Sequence, residues 1–312
     1  MLSIIISVYN EEEVLKYFYN DLVSAISSIE AVEIIFVNDG STDNTRSILD
    51  DFSAQDSRVT AIHFSRNFGH EAAMLAGIKH ATGEAIICMD ADLQHPPAQI
   101  LPMYEAFKSG NDIVLMIRDE RKDYNFLKQW LTSFFYYILN MLSEYRFSTN
   151  ASDFFLISSR VSTVIHAEFN EYSKFLRGII QNIGFKSCTI HYIAPKRFAG
   201  KSKYSMYKLI LFSFSAISTT SLVPLRLGIF AGIVFGFFSI ALSIYSIVMK
   251  LYSQPTAGYT TLIVFLSLSF SLLFFIIGII GEYLANIFKE VKNRPSYIIE
   301  KMVKHADFKN NK

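Results

Sequence analysis

The stretch EAIICMDADLQ, residues 84–94, is an apolar run that ends in two acids. An apolar run of this length without alternation is typical of a strand buried on both faces of a sheet. Four similar runs accompany it, so the predicted strands are Leu2–Tyr9, Val32–Asp39, Val59–Ser65, Glu84–Asp90 and Asp112–Ile117. Amphipathic patterns between them, such as Glu11–Ser28 and Asp43–Ser53, predict helices. This alternation indicates a doubly wound α/β domain, which binds ligands at the carboxyl ends of its strands.

Acidic side chains lie at the ends of three of these strands, at Glu11, Asp39, Asp90 and Asp92. In an extended chain Asp90 and Asp92 point the same way, and their carboxylates repel unless a cation lies between them. Mg²⁺ and Mn²⁺ prefer oxygen ligands, and the amide of Gln94 offers one more. The pattern predicts a divalent metal site; the alternative is a solvated turn before Pro96-Pro97.

A second turn follows the predicted strand at 32–39. Gly40 permits a tight turn there, and Asp43 is expected to cap the next helix. Asp39 precedes that cap at the strand tip, where we expect it to bind a base or a ribose.

Charge is distributed unevenly along the chain. Residues 1–194 contain 15 Lys and Arg against 24 Asp and Glu, whereas residues 195–226 contain six basic residues and no acid. A basic segment on an acidic body suits a surface of anionic lipid headgroups and argues against nucleic acid as a partner.

Two uncharged segments of 23 residues, Leu227–Met249 and Tyr259–Gly281, are each long enough to cross a bilayer. Basic flanks place both outer ends in the cytoplasm, so we expect an inner-membrane protein with two transmembrane helices and a cytoplasmic catalytic domain. The amphipathic segment Tyr204–Leu222 is expected along the membrane surface. The aromatic helix predicted at 124–143 fits either the membrane interface or a core. The predicted division is 1–194, 195–226, 227–281 and a tail, 282–312, that is helical for a few turns and then loose.

Cys88 and Cys188 are 100 residues apart and match no metal or redox spacing, which indicates reduced thiols. No Ser-His-Asp or Cys-His arrangement is visible. His70, His95 and the other five histidines are interpreted as structural.

Seven motifs, in chain order, resemble glycosyltransferase family 2, and within it the polyprenyl-phosphate glycosyltransferases: dolichol-phosphate mannose synthases and bactoprenol glucosyltransferases. The two-span tail resembles the bactoprenol branch. The motifs are Ser7-Val8-Tyr9-Asn10-Glu11, Asn38-Asp39-Gly40-Ser41-Thr42-Asp43, Ser65-Arg66-Asn67-Phe68-Gly69, Asp90-Ala91-Asp92-Leu93-Gln94-His95-Pro96-Pro97, Asn150-Ala151-Ser152-Asp153-Phe154, Phe175-Leu176-Arg177-Gly178 and Arg197-Phe198-Ala199-Gly200-Lys201-Ser202-Lys203-Tyr204.

The resemblance implies a GT-A (Rossmann-like) catalytic domain and a set of site residues. Asp92 and Gln94 would hold Mg²⁺ or Mn²⁺, with Asp90 close by or sharing the metal. Arg118 would meet phosphate on the acceptor side, and Asp153 aligns with the family's proposed base. Arg197 and Lys203 would lie on a loop that closes over the donor phosphates. Residues implied to contact the nucleotide are Tyr9, Glu11, Val37, Asp39, Asp90 and Ala91.

Two positions depart from the family pattern. Phe155 stands where many bactoprenol relatives have Arg, which removes one cationic contact to the acceptor phosphate unless Arg121 or Lys128 replaces it. Asn38 stands where Asp is common, which matters little if Asp39 is the functional acid.

The expected chemistry is a single displacement. Arg197 and Lys203, with the metal, would stabilise charge growing on the leaving nucleoside diphosphate; contact with lipid headgroups alone is the other interpretation. The acceptor phosphate is largely a dianion at neutral pH, so Asp153 is expected to orient it or accept a proton with modest effect. Without an enzyme nucleophile the anomeric carbon is inverted.

The predicted activity is therefore transfer of a hexose from a nucleotide-sugar, best UDP-glucose, to undecaprenyl or another polyprenyl phosphate. UDP-N-acetylhexosamine (for instance UDP-GlcNAc), UDP-galactose, GDP-mannose and a modified arabinose donor stay open. A processive polysaccharide synthase and a non-catalytic membrane scaffold that binds nucleotide-sugars are the rival hypotheses. The resemblance also implies a homo-oligomer, a tetramer.

Overall fold

The computed structural model describes residues 1–119, 151–169, 176–195, 223–252, 258–292 and 294–309. The chain divides into two units. One comprises Met1–Tyr136, Phe147–Lys203 and Arg294–Lys312, and the other comprises Tyr137–Arg146 and Tyr204–Asn293.

The first unit is an α/β domain whose eight described strands form one central sheet. The strands are β1 Leu2–Val8, β2 Val32–Asn38, β3 Val59–Phe64, β4 Ala85–Asp90, β5 Ile113–Arg118, β6 Ala151–Ser158, β7 Ser187–Tyr192 and β8 Ile299–Lys304. The helices are α1 Leu15–Ala25, α2 Thr45–Gln55, α3 His70–His80, α4 Ile100–Lys108, α5 Ser159–Glu168, α6 Leu176–Asn182 and, after two helices of the other unit, α9 His305–Lys309; a 3-10 turn covers Pro97–Gln99.

The sheet is mixed, with the strand order β7-β5-β6-β4-β1-β2-β3-β8. Strands β1 to β4 are parallel, whereas β6 pairs antiparallel with both β4 and β5, and β8 pairs antiparallel with β3. The chain order reverses at β1, which lies between β2 and β4. Such a reversal opens a crevice at the carboxyl ends of the strands, where ligands bind in α/β sheets.

Apolar side chains fill both faces of the sheet. Helix α1 buries Leu15, Phe18 and Leu22 on one face, and α3 buries residues 73–78 on the other. Burial of each such large side chain contributes roughly 1.5–3 kcal/mol, so the two layers hold the sheet rigid. Helix α3 lies so close to β1 that a Cβ on Gly77 would overlap the side chain of Ile5.

The first five predicted strands are present, with ends within one residue of the prediction. The prediction missed β6, β7 and β8. The expectation of a loose tail after the helical turns is wrong: residues 299–304 form β8, with Val303 buried beside β3 and Tyr297 stacked on Phe64 at 5.1 Å between ring centroids. This strand lies at the edge of the sheet and needs only one buried face. Its charged, exposed residues Glu300 and Lys301 therefore gave no strand pattern in the sequence.

The second unit contains α7 Val223–Tyr252 and α8 Tyr259–Lys292. Within the described residues, one stretch, Leu268–Lys292, is long and apolar enough to cross a membrane by length and composition. The apolar stretch in α7, Gly228–Phe238, is shorter. The prediction of two transmembrane helices is therefore not confirmed, although both segments are helical.

Several predicted features fall outside the described residues. These are the aromatic helix at 124–143, the surface segment Tyr204–Leu222, and the basic residues Arg121, Lys128, Arg197 and Lys203.

Candidate active site

The site lies at the carboxyl edge of the sheet, where β1 and β4 end. Because β6 runs antiparallel, its first residues lie at the same edge as the last residues of β4. Two acids distant in sequence, Asp90 and Asp153, are thus brought to either side of one histidine, His70, at the start of α3.

The turn after β4 presents the two predicted metal-binding acids. The Asp92 carboxylate accepts a hydrogen bond from the backbone N–H of Gln94 at 3.0 Å, and Leu93 has a φ of 60°. Arg118, at the end of β5, donates to the side-chain oxygen of Gln94 at 3.3 Å. The turn therefore gathers Asp90, Asp92, Gln94 and Arg118 at one edge.

The buried side chain of His95 holds this turn through hydrogen bonds. Its Nδ1 accepts the backbone N–H of Asp90 at 2.9 Å, so the proton lies on Nε2, which donates to Ser152 Oγ at 2.8 Å. Tyr192 also donates to Ser152, at 3.0 Å, and the imidazole stacks on Phe154. Burial lowers the pKa of His95, so the ring is neutral. His95 is a structural histidine, as expected.

His70 lies between the two acids. Its Nδ1 is 2.6 Å from Ser7 Oγ and 3.3 Å from Asp90 Oδ1, and its Nε2 is 3.9 Å from Asp153 Oδ2. Burial alone would lower the pKa of His70, but the carboxylates of Asp90 and Asp153 outweigh it and raise the pKa. The ring therefore favours the cationic form more than a free histidine does.

Asp153 is held by Arg177 from α6. The guanidinium donates twice to this carboxylate, from Nε at 3.0 Å and from Nη2 at 2.6 Å. Burial would raise the pKa of Asp153, but Arg177 and then His70 outweigh burial and lower it. At neutral pH Asp153 is an ion-paired carboxylate and a weak proton acceptor.

Glu71, next to His70 in the first turn of α3, has a raised pKa. Burial, and then the negative charge of Asp153, raise the pKa of Glu71 to about 7. One carboxyl group close to Asp153 therefore changes its charge in the neutral range.

Two loops at the edge are joined by hydrogen bonds from short polar side chains. Asn10, with a φ of 54°, accepts the backbone N–H of Thr42 at 2.8 Å, and its own N–H donates to Ser41 Oγ at 2.9 Å. Asp43 accepts the N–H groups of Thr45 and Glu12. The N-cap residue of α2 is Asn44, whose side chain makes no capping bond, so the prediction that Asp43 caps this helix is wrong by one residue. Asp43 instead holds the start of α2 through the N–H of Thr45.

Asp39 binds the third loop. Its two oxygens accept the backbone N–H groups of Phe68 at 2.6 Å and Gly69 at 3.0 Å, and its side chain is buried. Burial raises the pKa of Asp39 despite these bonds. In this arrangement the acid fixes the loop at 65–69 and does not present a free carboxylate to a base or ribose.

The other residues implied to contact nucleotide have varied positions. Tyr9 is 37% exposed and Glu11 is partly buried at the edge of the site. Val37 and Ala91 are buried in the core, so only their backbone atoms could reach a ligand. Phe155 is likewise buried, in the core on the α3 face.

A family model for Glycosyl transferase family 2 matches residues 3–164. The chain is also 38% identical over 304 residues to an uncharacterized glycosyltransferase, YkcC, of Bacillus subtilis, with 96% of this chain and 93% of that protein covered. It is 35% identical to the SfII prophage-derived bactoprenol glucosyl transferase of Shigella flexneri, with 96% of this chain and 97% of that protein covered. The chain belongs to glycosyltransferase family 2. The mixed sheet and the family membership together confirm the α/β, GT-A-like fold.

Among solved structures, a glucosyl-3-phosphoglycerate synthase of Mycobacterium tuberculosis crystallised with Mn²⁺, UDP-glucose and phosphoglyceric acid is similar at a TM-score of 0.47 and 16% identity. The similarity covers 70% of this chain and 78% of that one.

The donor atoms of the family 2 turn fit a hard divalent cation. Two carboxylates and an amide oxygen are oxygen ligands, and Mg²⁺ is commonly bound by one or two carboxylates together with substrate phosphates and water. Within the described residues no group of three His, Cys, Asp or Glu could hold a metal by itself.

Sequence reasoning missed three residues of this site: His70 as a bridge, Arg177 as the partner of Asp153, and Ser152 as the anchor of His95. Ser152 and Arg177 lie within the family motifs at 150–154 and 175–178, and His70 directly follows the motif at 65–69. Their roles depend on the pairing of β6 with β4 and on the contact of Arg177 in α6 with Asp153 in β6, which no local pattern reveals. Cys88 is buried and Cys188 partly buried, and both are free thiols, as expected.

Proposed function

We propose that this family 2 enzyme transfers a hexose, best glucose from UDP-glucose, to undecaprenyl or another polyprenyl phosphate, with inversion at the anomeric carbon. The similarity to a bactoprenol glucosyl transferase carries this proposal, because it extends over nearly the whole of both chains. The match thus includes the helices beyond residue 164, where the family model ends.

The site is compatible with this chemistry. Asp90, Asp92 and Gln94 would hold Mg²⁺ or Mn²⁺, which would neutralise charge on the leaving diphosphate. Arg118 contacts Gln94 and would bind phosphate at the same edge. Arg197 and Lys203 would close over the donor, and Tyr9, Glu11 and the backbone at Val37 and Ala91 would line the nucleotide.

Asp153 would orient the acceptor phosphate. Its lowered pKa makes proton acceptance unfavourable, and the dianionic acceptor does not need a base. No described side chain needs to form a covalent intermediate, so a single displacement is the simplest course.

We also propose that α8, and with it α7, anchors the enzyme in the cytoplasmic membrane with the α/β unit on the cytoplasmic side. The stretch Leu268–Lys292 supports one membrane-crossing helix. An anchor would keep the site near the lipid headgroups, where the acceptor phosphate lies. A tetramer is part of the proposal and rests on the family resemblance; the mass of the purified particle tests it.

The test uses the full-length protein, undecaprenyl phosphate and five donors: UDP-glucose, UDP-GlcNAc, UDP-galactose, GDP-mannose and a nucleotide-linked modified arabinose. Mass spectrometry of the lipid is expected to show a hexose added from UDP-glucose, with the inverted linkage by NMR. Absence of any glycosylated lipid would refute the proposed acceptor, and a product from another donor would correct the sugar.

Metal dependence is tested in the same assay. EDTA is expected to abolish transfer and Mn²⁺ or Mg²⁺ to restore it. Asp92→Asn is expected to lower transfer by at least about tenfold, because it removes one charged metal ligand. Asp51→Asn, which removes an exposed acid from α2, is the matched control and should transfer normally. Full activity of the chelated enzyme would contradict the metal site.

A further inference from the structure

The imidazole of His70 is bound at one nitrogen and not at the other. Nδ1 contacts Ser7 and Asp90, whereas Nε2 is buried and has no hydrogen-bond partner among the residues the structure describes. Buried polar atoms are nearly always hydrogen-bonded, so an exception requires an explanation, and a catalytic role is one of those known. The orphan nitrogen indicates a partner that is acquired in another state of the enzyme.

The carboxylate of Asp153 faces this nitrogen. Its Oδ2 is 3.9 Å from Nε2, too far for a hydrogen bond but close enough that a shift of about 1 Å would form one. Arg177 already fixes Asp153 from another direction. Hydrogen bonds that act in catalysis are often long in the ligand-free enzyme and tighten when substrates bind.

We propose that His70 is a positioning residue that joins the two acids of the site, with Nδ1 held at Asp90 and Nε2–H donating to Asp153 once substrates are bound. The inference rests on the proposed function, which gives Asp90 to the donor side and Asp153 to the acceptor side. A rigid link between them sets the distance between the attacking phosphate and the anomeric carbon. Misplacement by about 1 Å can cost on the order of a hundredfold in rate.

A structural role for His70 would depend on Nδ1 alone, through its contact with Ser7. Two substitutions separate the nitrogens. The amide of His70→Asn can occupy the position of Nδ1 but not of Nε2, whereas the longer amide of His70→Gln can occupy that of Nε2.

The linking role predicts that His70→Asn lowers kcat by about tenfold to a hundredfold, with nucleotide affinity unchanged within about twofold. His70→Gln can replace Nε2 but loses the contact of Nδ1 with Asp90, so it is expected to lose a comparable factor. A kcat within about twofold of wild type in either variant would overturn the proposal, because one nitrogen would then be sufficient.

A double-mutant cycle tests whether His70 acts through Asp153. If it does, adding His70→Asn to Asp153→Asn is expected to lower kcat little further, because the link is already broken. If the fold-losses of the single variants multiply in the double variant, the two residues act independently and the proposal is wrong.

A structure of the full-length protein with UDP, Mn²⁺ and undecaprenyl phosphate measures the link without sugar transfer. A separation of Nε2 and Oδ2 of at most about 3.2 Å supports the link, and an unchanged separation overturns it. A wild-type enzyme that shows the short contact but glycosylates no lipid would refute the proposed function and leave the link standing. An enzyme that glycosylates the lipid but keeps a long separation of Nε2 and Oδ2 would refute the link and leave the proposed function standing.

Discussion

At the scale of single residues, the site is a set of charges whose values depend on their neighbours. Asp153 is kept ionised by Arg177, His70 is pushed towards its cation by two carboxylates, and Glu71 is pushed towards its neutral form. For Asp153 and His70 the cause is a charged neighbour on another element, whereas for Glu71 it is burial first and then the negative charge of Asp153. The resemblance allowed Asp153 two roles, and its lowered pKa favours orientation of the acceptor over proton acceptance.

Glu71 makes a prediction about stability and pH. Its folded pKa of about 7 lies above the ordinary value of 4.5, so the folded state binds this proton more tightly than the unfolded state. Ionising Glu71 therefore lowers stability as pH rises towards and through about 7, by up to about 3 kcal/mol. Glu71→Gln is expected to unfold at higher denaturant concentration than wild type at pH 8 and nearly equally at pH 5. Glu13→Gln, at an exposed position between β1 and α1, serves as the control. A gain for Glu71→Gln that is the same at both pH values would contradict the shift.

At the scale of elements, three loops at the carboxyl edge are packed against one another. Gly40 has a φ of 66°, and a Cβ there would overlap the backbone of Arg66 and lie 2.6 Å from the backbone nitrogen of Asn67. Asp39, next to Gly40, holds the same loop through two hydrogen bonds. The loops therefore form one rigid wall of the site.

Gly40→Ala is expected to disturb this wall. The substitution adds the strain of a positive φ, about 1–2 kcal/mol, and also forces the 66–67 backbone to move. Gly110→Ala adds the same kind of strain in open surroundings, since among the described residues only the Lys186 amine lies within 4 Å of the added Cβ, at 3.8 Å. Denaturant unfolding should show a larger loss for Gly40→Ala, and nucleotide binding should weaken in that variant alone. Equal losses in the two variants would show that loop contact is unimportant.

Strand β8 is the second element with a testable role. Val303 is 2% exposed and lies opposite Ala61 of β3, whereas the side chain of Lys304 is exposed. Val303→Asp is expected to destabilise the α/β unit by about 2–4 kcal/mol, because it buries an unpaired charge. Lys304→Asp introduces the same residue at the neighbouring position and should cost less than about 0.5 kcal/mol. Similar denaturation midpoints for both variants would mean that β8 does not pack as described.

At the scale of the whole molecule, the chain leaves the α/β unit, forms two apolar helices, and returns to add an edge strand. The segment after α8 pairs with β3, and Arg46 of α2 contacts Glu300 of β8 at 3.1 Å. The apolar helices therefore lie within the sequence of the folded unit and do not simply follow it.

Two shortened chains separate anchoring from folding. A chain that ends at residue 222 loses both the apolar helices and β8, and we expect it to be released from vesicles by high salt, which weakens the surface contact of 195–222, and to unfold more easily than the full chain. A chain in which a Gly/Ser-rich linker of about 15 residues replaces 223–292 keeps β8, and we expect it to be released from vesicles by high salt as well but to retain its stability. Flotation with vesicles measures the first property and denaturant unfolding the second. Equal stability of the two shortened chains would show that β8 adds nothing.

The sequence by itself was sufficient for the first five strands, the doubly covered sheet and the acid turn at 90–94. These features follow from local patterns: apolar runs form buried strands, and the ends of parallel strands share one edge. It was also sufficient for the family, because the motifs are contiguous and occur in order.

Only the tertiary structure showed which residues meet. The antiparallel insertion of β6 between β4 and β5 brings Asp153 to the edge where Asp90 ends a strand, and α6 then places Arg177 against Asp153. These contacts join residues 24 to 83 positions apart, from Arg177 with Asp153 to His70 with Asp153. Periodicity and propensity report on a few neighbouring residues, so they do not determine strand order or the pairing of buried charges. Strand β8 was not predicted for the same reason, since an edge strand with one buried face has almost no apolar pattern of its own.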